Sequence, residues 1–324
     1  MKSTLPRLAI SLFFLGLLFY LMRNDAPMIF QTLKNINRSL LIFSIFIFLL
    51  TVLILAKRLQ LIFAAEDVNL RLIDSCNLTF VGYFFNNFLP TSIGGDIVKA
   101  LCAARITQEP VKSVTSVLMD RIFGLFTFIL IPSLSIFFLK NVVNPAVPVI
   151  IYSFLTFSIS FFFLIFNRGL ARRFKFVETL LNRFHVGSKI RKIYDGLHNF
   201  KHHKIVVLKA MLLSIVGQSV SIAVLYMLAL ALGTEANMIY FFITVPVVHL
   251  ISMLPSLNGL GIRENAYVLF LSPYVGPHNA AALAILWLGL LFLLSLIGGI
   301  IYLVRHDYHI RFGKGAVLAE NSLV

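Results

Sequence analysis

Apolar residues fall into long uninterrupted blocks along this chain, rather than at the period of a strand or of a surface helix. Most blocks reach or approach the ~18–20 residues that a helix needs to cross a hydrocarbon core of ~30 Å. They cover approximately residues 6–22, 38–57, 113–139, 148–166, 206–232 and 279–304. Helices are the expected spanning element, because lipid offers no partner to an unpaired backbone amide. The pattern therefore predicts an all-α, polytopic integral membrane helix bundle.

The first block has an alternative interpretation as the apolar core of a cleaved signal peptide, since Lys2 and Arg7 precede it. It is followed by Arg23-Asn24-Asp25 and by no small-residue cleavage site. A retained membrane span is therefore the preferred interpretation.

Two further apolar regions are each broken by a similar motif. The segment from Leu89 to Asp96 reads LPTSIGGD, and the segment from Leu254 to Gly261 reads LPSLNGLG, 165 positions later. Proline removes a backbone donor, and glycine lets the chain turn sharply at little steric cost. The motifs predict two broken hairpins, either re-entrant or with arms that cross fully. The predicted turn residues are Asn87, Pro90, Gly94, Gly95, Pro255, Gly259 and Gly261.

The spans that flank the two motifs correspond at the same offset. Segment 38–57 falls on 203–222, and segment 113–139 falls on 278–304. We therefore predict two repeats, at about 38–140 and 203–305, each with the order span, broken hairpin, span. Both belong to a single membrane domain over 1–310, followed by a short cytoplasmic tail over 311–324. The alternative is a coincidental pair of motifs in an ordinary bundle.

The distribution of basic residues predicts the orientation of the spans. Residues 167–209 contain eleven Lys or Arg and two acidic residues, which places this loop in the cytoplasm by the positive-inside rule. Counting spans from this loop puts both termini and the predicted loop 57–71 in the cytoplasm. The two repeats then have opposite orientations, and their broken hairpins enter from opposite faces. Such inverted repeats are typical of transporters with a central site.

Within the basic loop of residues 167–205, apolar residues recur at helical spacing over 177–184 and over 190–197, on either side of Gly187-Ser188. Two short helices with one apolar and one cationic face are suited to the surface of an anionic leaflet. A solvated connector that merely obeys the positive-inside rule is an equal alternative.

Composition excludes several classes of function. The chain is 59% hydrophobic and 13% charged with a mean hydropathy of +0.92, which excludes a water-soluble fold. Its net charge of +15 lies at span ends and in the basic loop, so no nucleic-acid partner is predicted. Cys76, Cys102 and the pair His202-His203 lack metal-ligand spacing. Phosphate-binding, dinucleotide-binding and hydrolase motifs are absent, so we predict no metal, no cofactor and no enzyme activity.

Charged residues inside apolar segments are the candidate functional residues. Each costs roughly 2.5–3.5 kcal/mol at the centre of a membrane helix, so they should be paired or line a polar cavity. The half-helix after each glycine turn also points free N–H groups at the turn, where an anion such as phosphate is stabilised. The predicted substrate-binding residues are the cations Lys99, Arg121 and Arg263 with the carboxylates Asp96, Asp120 and Glu264.

In this interpretation the cations bind the phosphate of an anionic phospholipid or of a polyprenyl-phosphate lipid. The carboxylates act as counter-charges, or bind a proton or a cationic headgroup. The alternative is a set of ion pairs that only lock helices together. At the repeat offset of 165 positions, Arg263-Glu264 corresponds to Val98-Lys99. His249 is predicted to be a neutral, hydrogen-bonded packing residue and not a proton relay. Asn86-Asn87 are predicted to satisfy backbone groups freed by the turn and not to contact substrate.

These residues also resemble a known family, the flippase-like transmembrane proteins. The resemblance rests on Asn86-Asn87-Phe88-Leu89-Pro90 with Gly94, Asp96 and Lys99, on Asp120-Arg121, and on Leu254-Pro255 with Gly259, Gly261 and Glu264. The family includes the membrane region of lysylphosphatidylglycerol synthases and archaeal proteins linked to dolichyl-phosphate glycans. The resemblance covers about residues 5–305.

The resemblance implies translocation of a lipid between leaflets of a prokaryotic cytoplasmic membrane. The lipid would be aminoacylated phosphatidylglycerol or a polyprenyl-phosphate-linked sugar. Lys99 stands where the family often has arginine, which weakens the expectation of a bidentate phosphate contact. The chain ends about twenty residues after the last predicted span, so we expect no soluble aminoacyl-transfer domain. The alternative function is a non-catalytic membrane partner that anchors a separate glycosyl- or aminoacyl-transferase through the basic loop.

Overall fold

The computed structural model describes residues 10–14, 16–17, 20, 23, 25–89, 93–137, 146–166, 187–254, 256 and 258–308, which are helical and contain no strand. The predicted all-α membrane bundle is confirmed. In chain order, the helices are α1 (Ala26–Lys34), α2 (Arg38–Ala65), α3 (Leu72–Phe88), α4 (Gly94–Thr107), α5 (Pro110–Phe137), α6 (Ala146–Phe166), α7 (Gly187–Asn199), α8 (Lys204–Ala231), α9 (Met238–Ile251), α10 (Ile262–Val275) and α11 (Pro277–Val304).

Four long helices, α2, α5, α8 and α11, are apolar enough to cross a membrane. Each contains 28 residues and is therefore about 42 Å long, which exceeds a hydrocarbon core of ~30 Å. They confirm four of the predicted spans, and α6 forms a helix over the fifth, at 148–166. The remaining predicted span, 6–22, lies partly outside the described residues, and the tail at 311–324 lies entirely outside them.

Helix α2 continues eight residues beyond its predicted end. The predicted loop 57–71 was wrong in its first part, because residues up to Ala65 are helical. Arg58 falls within the predicted loop, but its side chain is buried and forms an ion pair with Asp120. A neutralised guanidinium does not need to reach water, so the charge does not end the helix.

The described helices form two units with the same order and nearly the same lengths. Helices α2 to α5 make the first unit and α8 to α11 the second; each unit has two 28-residue helices that enclose a pair of short ones. The second short helix has 14 residues in both units, about 21 Å, which is too short to cross the core. Broken hairpins are therefore present at both predicted sites. Their opposite membrane orientation stays a prediction.

The structure corrects the register between the two units. Three residues separate Pro90 from the start of α4 at Gly94, whereas six separate Pro255 from the start of α10 at Ile262. The longer second turn shifts the correspondence by three positions. Glu264 therefore corresponds to Asp96, each in the first turn of its helix, and not to Lys99 as the motif offset suggested.

The two units interlock through their hairpins. Helices α2 and α8 pack along each other, α3 of the first unit packs on α11, and α9 of the second packs on α5. Small residues permit this close approach, as is common between membrane helices. A Cβ added to Gly298 in α11 would lie 2.0 Å from the carbonyl oxygen of Phe80 in α3. The backbones of α3 and α11 are therefore in direct contact at this point.

The described part of the basic loop is docked on the bundle. Helix α7 confirms the helix predicted over 190–197, whereas the helix predicted over 177–184 lies outside the described residues. Gly196 of α7 faces Thr115 of α5, where an added Cβ would lie 2.8 Å from the threonine hydroxyl. Phe200, which follows α7, is fully buried. This end of the loop is thus a packed element and not a freely solvated connector.

Candidate functional site

The charged residues predicted from the sequence meet at one cavity between the two units. The cavity has a volume of about 260 Å³, and all eight helices of the two units contribute to its lining. Of the predicted site residues, those that line it are Asp96, Lys99, Asp120, Arg121 and Arg263. Glu264 joins them through its ion pair with Arg263.

Asp120 of α5 is the centre of the charge network. Its Oδ1 accepts a hydrogen bond from Arg58 Nε at 2.7 Å, and its Oδ2 accepts one from Lys99 Nζ at 3.0 Å. All three side chains are buried. A buried carboxylate is tolerated only when it is paired and hydrogen-bonded, and Asp120 satisfies both conditions. Arg58 also donates from Nη1 to Ser214 Oγ of α8 at 2.9 Å, which links the network to the second unit.

Asp96 of α4 extends the network towards Arg121. Its Oδ1 lies 3.7 Å from Lys99 Nζ, and its Oδ2 lies 3.3 Å from Arg121 Nη1. Asp96 stands in the first turn of α4, where the helix dipole also favours a negative charge. Five side chains thus form a continuous chain of ion pairs in the order Arg58, Asp120, Lys99, Asp96 and Arg121.

Arg263 and Glu264 form a separate pair at the start of α10. Glu264 Oε1 accepts hydrogen bonds from Arg263 Nη2 at 2.8 Å and from Arg263 Nε at 3.1 Å. Its other oxygen, Oε2, accepts from the backbone N–H of Gly261 at 2.6 Å. Glu264 therefore stabilises the turn through the backbone of Gly261 and also neutralises the charge of Arg263. Across both units, four cations face three carboxylates, which leaves one positive charge in excess.

The backbone N–H groups at the two hairpin turns are less available than predicted. Gly95 N–H donates to Asn86 Oδ1 at 2.9 Å, and Gly261 N–H donates to Glu264 Oε2. The expectation that these N–H groups lie free for an anion is thus wrong at both positions. The reason is that a polar backbone group in an apolar environment must be satisfied by the protein itself. Anion binding would therefore fall to the side-chain cations.

The two hairpin turns contact each other directly. Asn258 Nδ2 donates to Asn87 Oδ1, and Asn87 Nδ2 donates to the carbonyl oxygen of Leu291 at 3.2 Å and to Ser295 Oγ. Asn86 satisfies a backbone group at the turn, the N–H of Gly95, as predicted. Asn87 does not, because its bonds go to α11 and to Asn258.

Glycine is required at three of the predicted turn positions. Gly259 and Gly261 have φ of 77° and 82°, in the left-handed region that favours glycine. Gly95 packs so closely that an added Cβ would lie 2.1 Å from the carbonyl oxygen of Gly82. The neighbouring Gly94 is the first residue of α4. Pro90 and Pro255 lie outside the described residues.

Sequence reasoning missed Arg58, although it holds the central carboxylate. The predicted span ends at residue 57, yet Leu59, Ile62 and Phe63 continue the apolar pattern at helical spacing. That continuation was the available signal, since it predicts a longer helix with Arg58 inside. Ser214 and Asn258 were also missed, because their roles depend on contacts between the two units.

His249 of α9 lines the same cavity and packs among aromatic rings, but the predicted hydrogen bond is missing at its Nδ1, which is buried and has no partner among the described residues. Its ring centroid lies 5.1 Å from that of Phe128, 6.0 Å from that of Trp287 and 6.5 Å from that of Tyr267. Within the part of the chain that the structure describes, no group of three or more His, Cys, Asp or Glu residues could hold a metal ion.

Two interlocked four-helix units, each with a broken hairpin at a shared charged cavity, define a multi-pass integral membrane protein with a polar interior site. The family described as Lysylphosphatidylglycerol synthase TM region matches residues 6–299, and the chain belongs to this family. The resemblance seen in the motifs is thereby confirmed, and the family associates the protein with lipid-related processes. No match was found among curated proteins or among solved structures.

Proposed function

We propose that this protein translocates an anionic lipid, or a lipid-linked sugar phosphate, between the two leaflets of a prokaryotic cytoplasmic membrane. The headgroup would occupy the cavity between the two units while the acyl or prenyl chains stay in the surrounding lipid. The observation that carries the proposal is the cluster of four cations and three carboxylates around this cavity.

The excess of one cation makes an anion the favoured ligand. A phosphate group that enters the cavity would gain charge-assisted hydrogen bonds from lysine and arginine, which are stronger than bonds between neutral groups. Arg121 is suited to a first contact, because 28% of its side chain is exposed, whereas the Lys99 side chain is 8% exposed. Arg58 and Lys99 share Asp120 and would hold the site in shape.

The cavity argues for a ligand and against a purely structural role for the charges. An ion pair that only locks helices together is satisfied by its partner and its hydrogen bonds, and it needs no open space beside it. Here the pairs border a space of about 260 Å³, well above the ~10–15 Å³ that is needed to hold one water molecule. The size and polarity are suitable for a lipid headgroup.

The proposal assigns no covalent chemistry to the site. Among the described residues, Asp96, Asp120 and Glu264 are all paired with cations, which supports their proposed role as counter-charges in a transport site. The cytoplasmic placement of both termini is part of the same proposal, because it follows from the basic loop at 167–209.

The test is lipid movement in vesicles reconstituted with the purified full chain. Labelled phosphatidylglycerol and labelled polyprenyl phosphate are each placed in one leaflet, and their appearance in the other is followed in time. We expect the protein to accelerate movement of at least one of them. Lys99→Met should reduce the rate at least tenfold, because it removes the cation between Asp96 and Asp120.

Lys112→Met is the matched control for this substitution. Lys112 lies near the start of α5, its side chain is 37% exposed, and it pairs only with Glu109 among the ion pairs of the described residues. We expect its rate to equal that of the unchanged protein. Equal rates with and without protein for both lipids would exclude the proposed function. They would instead favour the alternative role as a membrane partner of a separate transferase.

A further inference from the structure

The second unit contributes uncharged side chains with hydrogen-bonding nitrogens to the cavity. Gln218 of α8, His249 of α9 and Trp287 of α11 all line it. Among the described residues, none offers a hydrogen-bond partner to Gln218 Nε2, His249 Nδ1 or Trp287 Nε1, and all three atoms are buried. Buried polar atoms in proteins are nearly always hydrogen-bonded. Three nitrogens without a protein partner at one cavity are therefore available to bond the oxygens of a ligand.

Trp287 is the strongest element of this set. Its side chain is 2% exposed, and indole nitrogen acts only as a donor. It is the eleventh residue of α11, as Asp120 is of α5, so the two units place a neutral donor and a carboxylate at corresponding positions. Most of the charged residues at the cavity therefore belong to the first unit, whereas the second unit adds uncharged polar side chains.

Aromatic rings surround these donors. The ring centroid of Trp287 lies 5.0 Å from that of Phe48 and 6.0 Å from that of His249, which in turn lies 5.1 Å from that of Phe128. Such rings form a rigid apolar surface beside the polar nitrogens. A polyol or sugar has the complementary chemistry, because its C–H groups contact apolar rings and its oxygens accept hydrogen bonds.

We propose that Gln218, His249 and Trp287 form a subsite for the hydroxyl oxygens of an uncharged polyol or sugar attached to the lipid phosphate. This inference rests on the proposed function, since the phosphate itself is assigned to the cations. A headgroup that carries an ammonium, such as ethanolamine or an aminoacyl ester, is disfavoured because the site already has an excess of cations.

The experiment measures binding of defined lipids to the full chain in nanodiscs, by competition with a fluorescent lipid. Phosphatidylglycerol carries hydroxyls next to its phosphate, and phosphatidic acid with the same chains carries none. For Gln218→Leu and for Trp287→Phe we expect affinity for phosphatidylglycerol to fall about fivefold, the effect of one lost hydrogen bond. Affinity for phosphatidic acid should stay within twofold. Gln31→Leu, the same change at an exposed position of α1, is the matched control.

The outcomes separate this inference from the proposed function. If the unchanged protein binds neither lipid, the proposed function and the subsite are both excluded. Suppose instead that the unchanged protein binds phosphatidic acid. If the variants then lose affinity for both lipids equally, or lose affinity for neither, only the subsite is overturned. Binding of phosphatidylethanolamine as tight as that of phosphatidylglycerol also overturns it. Comparing the affinities for polyprenyl-phosphoryl hexose and polyprenyl phosphate shows whether the subsite accepts a sugar as well as glycerol. Melting temperatures of the variants confirm that they fold.

Discussion

Replacing Arg58 by methionine removes one of the two cations that neutralise Asp120. The carboxylate keeps only its contact with Lys99 Nζ at 3.0 Å, and Ser214 of α8 loses its hydrogen bond from Arg58 Nη1. Breaking a buried ion pair from one side typically costs 3–5 kcal/mol. Because Lys99 still compensates part of the charge of Asp120, we expect a loss of about 2–4 kcal/mol in the free energy of unfolding.

The assay is reversible unfolding of the purified protein in mixed detergent micelles, followed by tryptophan fluorescence, since Trp287 is the single tryptophan of the chain. Lys57→Met is the matched control. Lys57 is adjacent, exposed, and bonded to Gln60 at 2.8 Å, so its loss should change the stability by no more than about 0.5 kcal/mol.

The double variant Arg58→Met with Asp120→Asn tests the reasoning further. It removes the uncompensated carboxylate together with its partner, so it should be more stable than the sum of the two single effects predicts, by at least about 1 kcal/mol. The interpretation is refuted if Arg58→Met unfolds like Lys57→Met, or if the two single effects are simply additive. Either result would mean that Arg58 and Asp120 do not interact in the folded protein.

Two other predictions concern packing and pH. Gly298→Ala should lower the free energy of unfolding by roughly 1–3 kcal/mol, because the new Cβ would clash with the carbonyl oxygen of Phe80. Gly289→Ala, on the same helix, is the control. Its Cβ would meet open space, so this change should be neutral or stabilising in the same unfolding assay. Burial raises the pKa of the Glu66 carboxyl above its ordinary value of 4.5, so the folded state binds the proton more tightly and wild-type stability falls as pH rises through the window above 4.5. Glu66→Gln should therefore raise the melting temperature by more at pH 7 than at pH 4.5. The reasoning is contradicted if the gain in melting temperature over the unchanged protein is larger at pH 4.5 than at pH 7.

Much of the architecture is readable from the sequence because its cause is local. An apolar stretch of membrane length must become a helix, and a proline–glycine turn inside it must break that helix. A charge such as Asp120 or Arg263 in such a stretch must find a partner or a polar cavity. These requirements hold whatever the neighbouring helices are. They account for the predicted bundle, the two broken hairpins and the set of charged residues that the structure brings together.

The choice of partners was decided only by the tertiary structure. Helix α2 is apolar on all sides, so its sequence does not show which face meets protein and which meets lipid, and the predicted span stops short of Arg58. Its pairing with Asp120, 62 positions away, depends on how α2 packs against α5. The contact between Asn87 and Asn258 likewise exists only because the hairpins of the two units interlock. Lipid makes an unpaired charge unfavourable everywhere along a span, but only the packing of helices determines which group neutralises it.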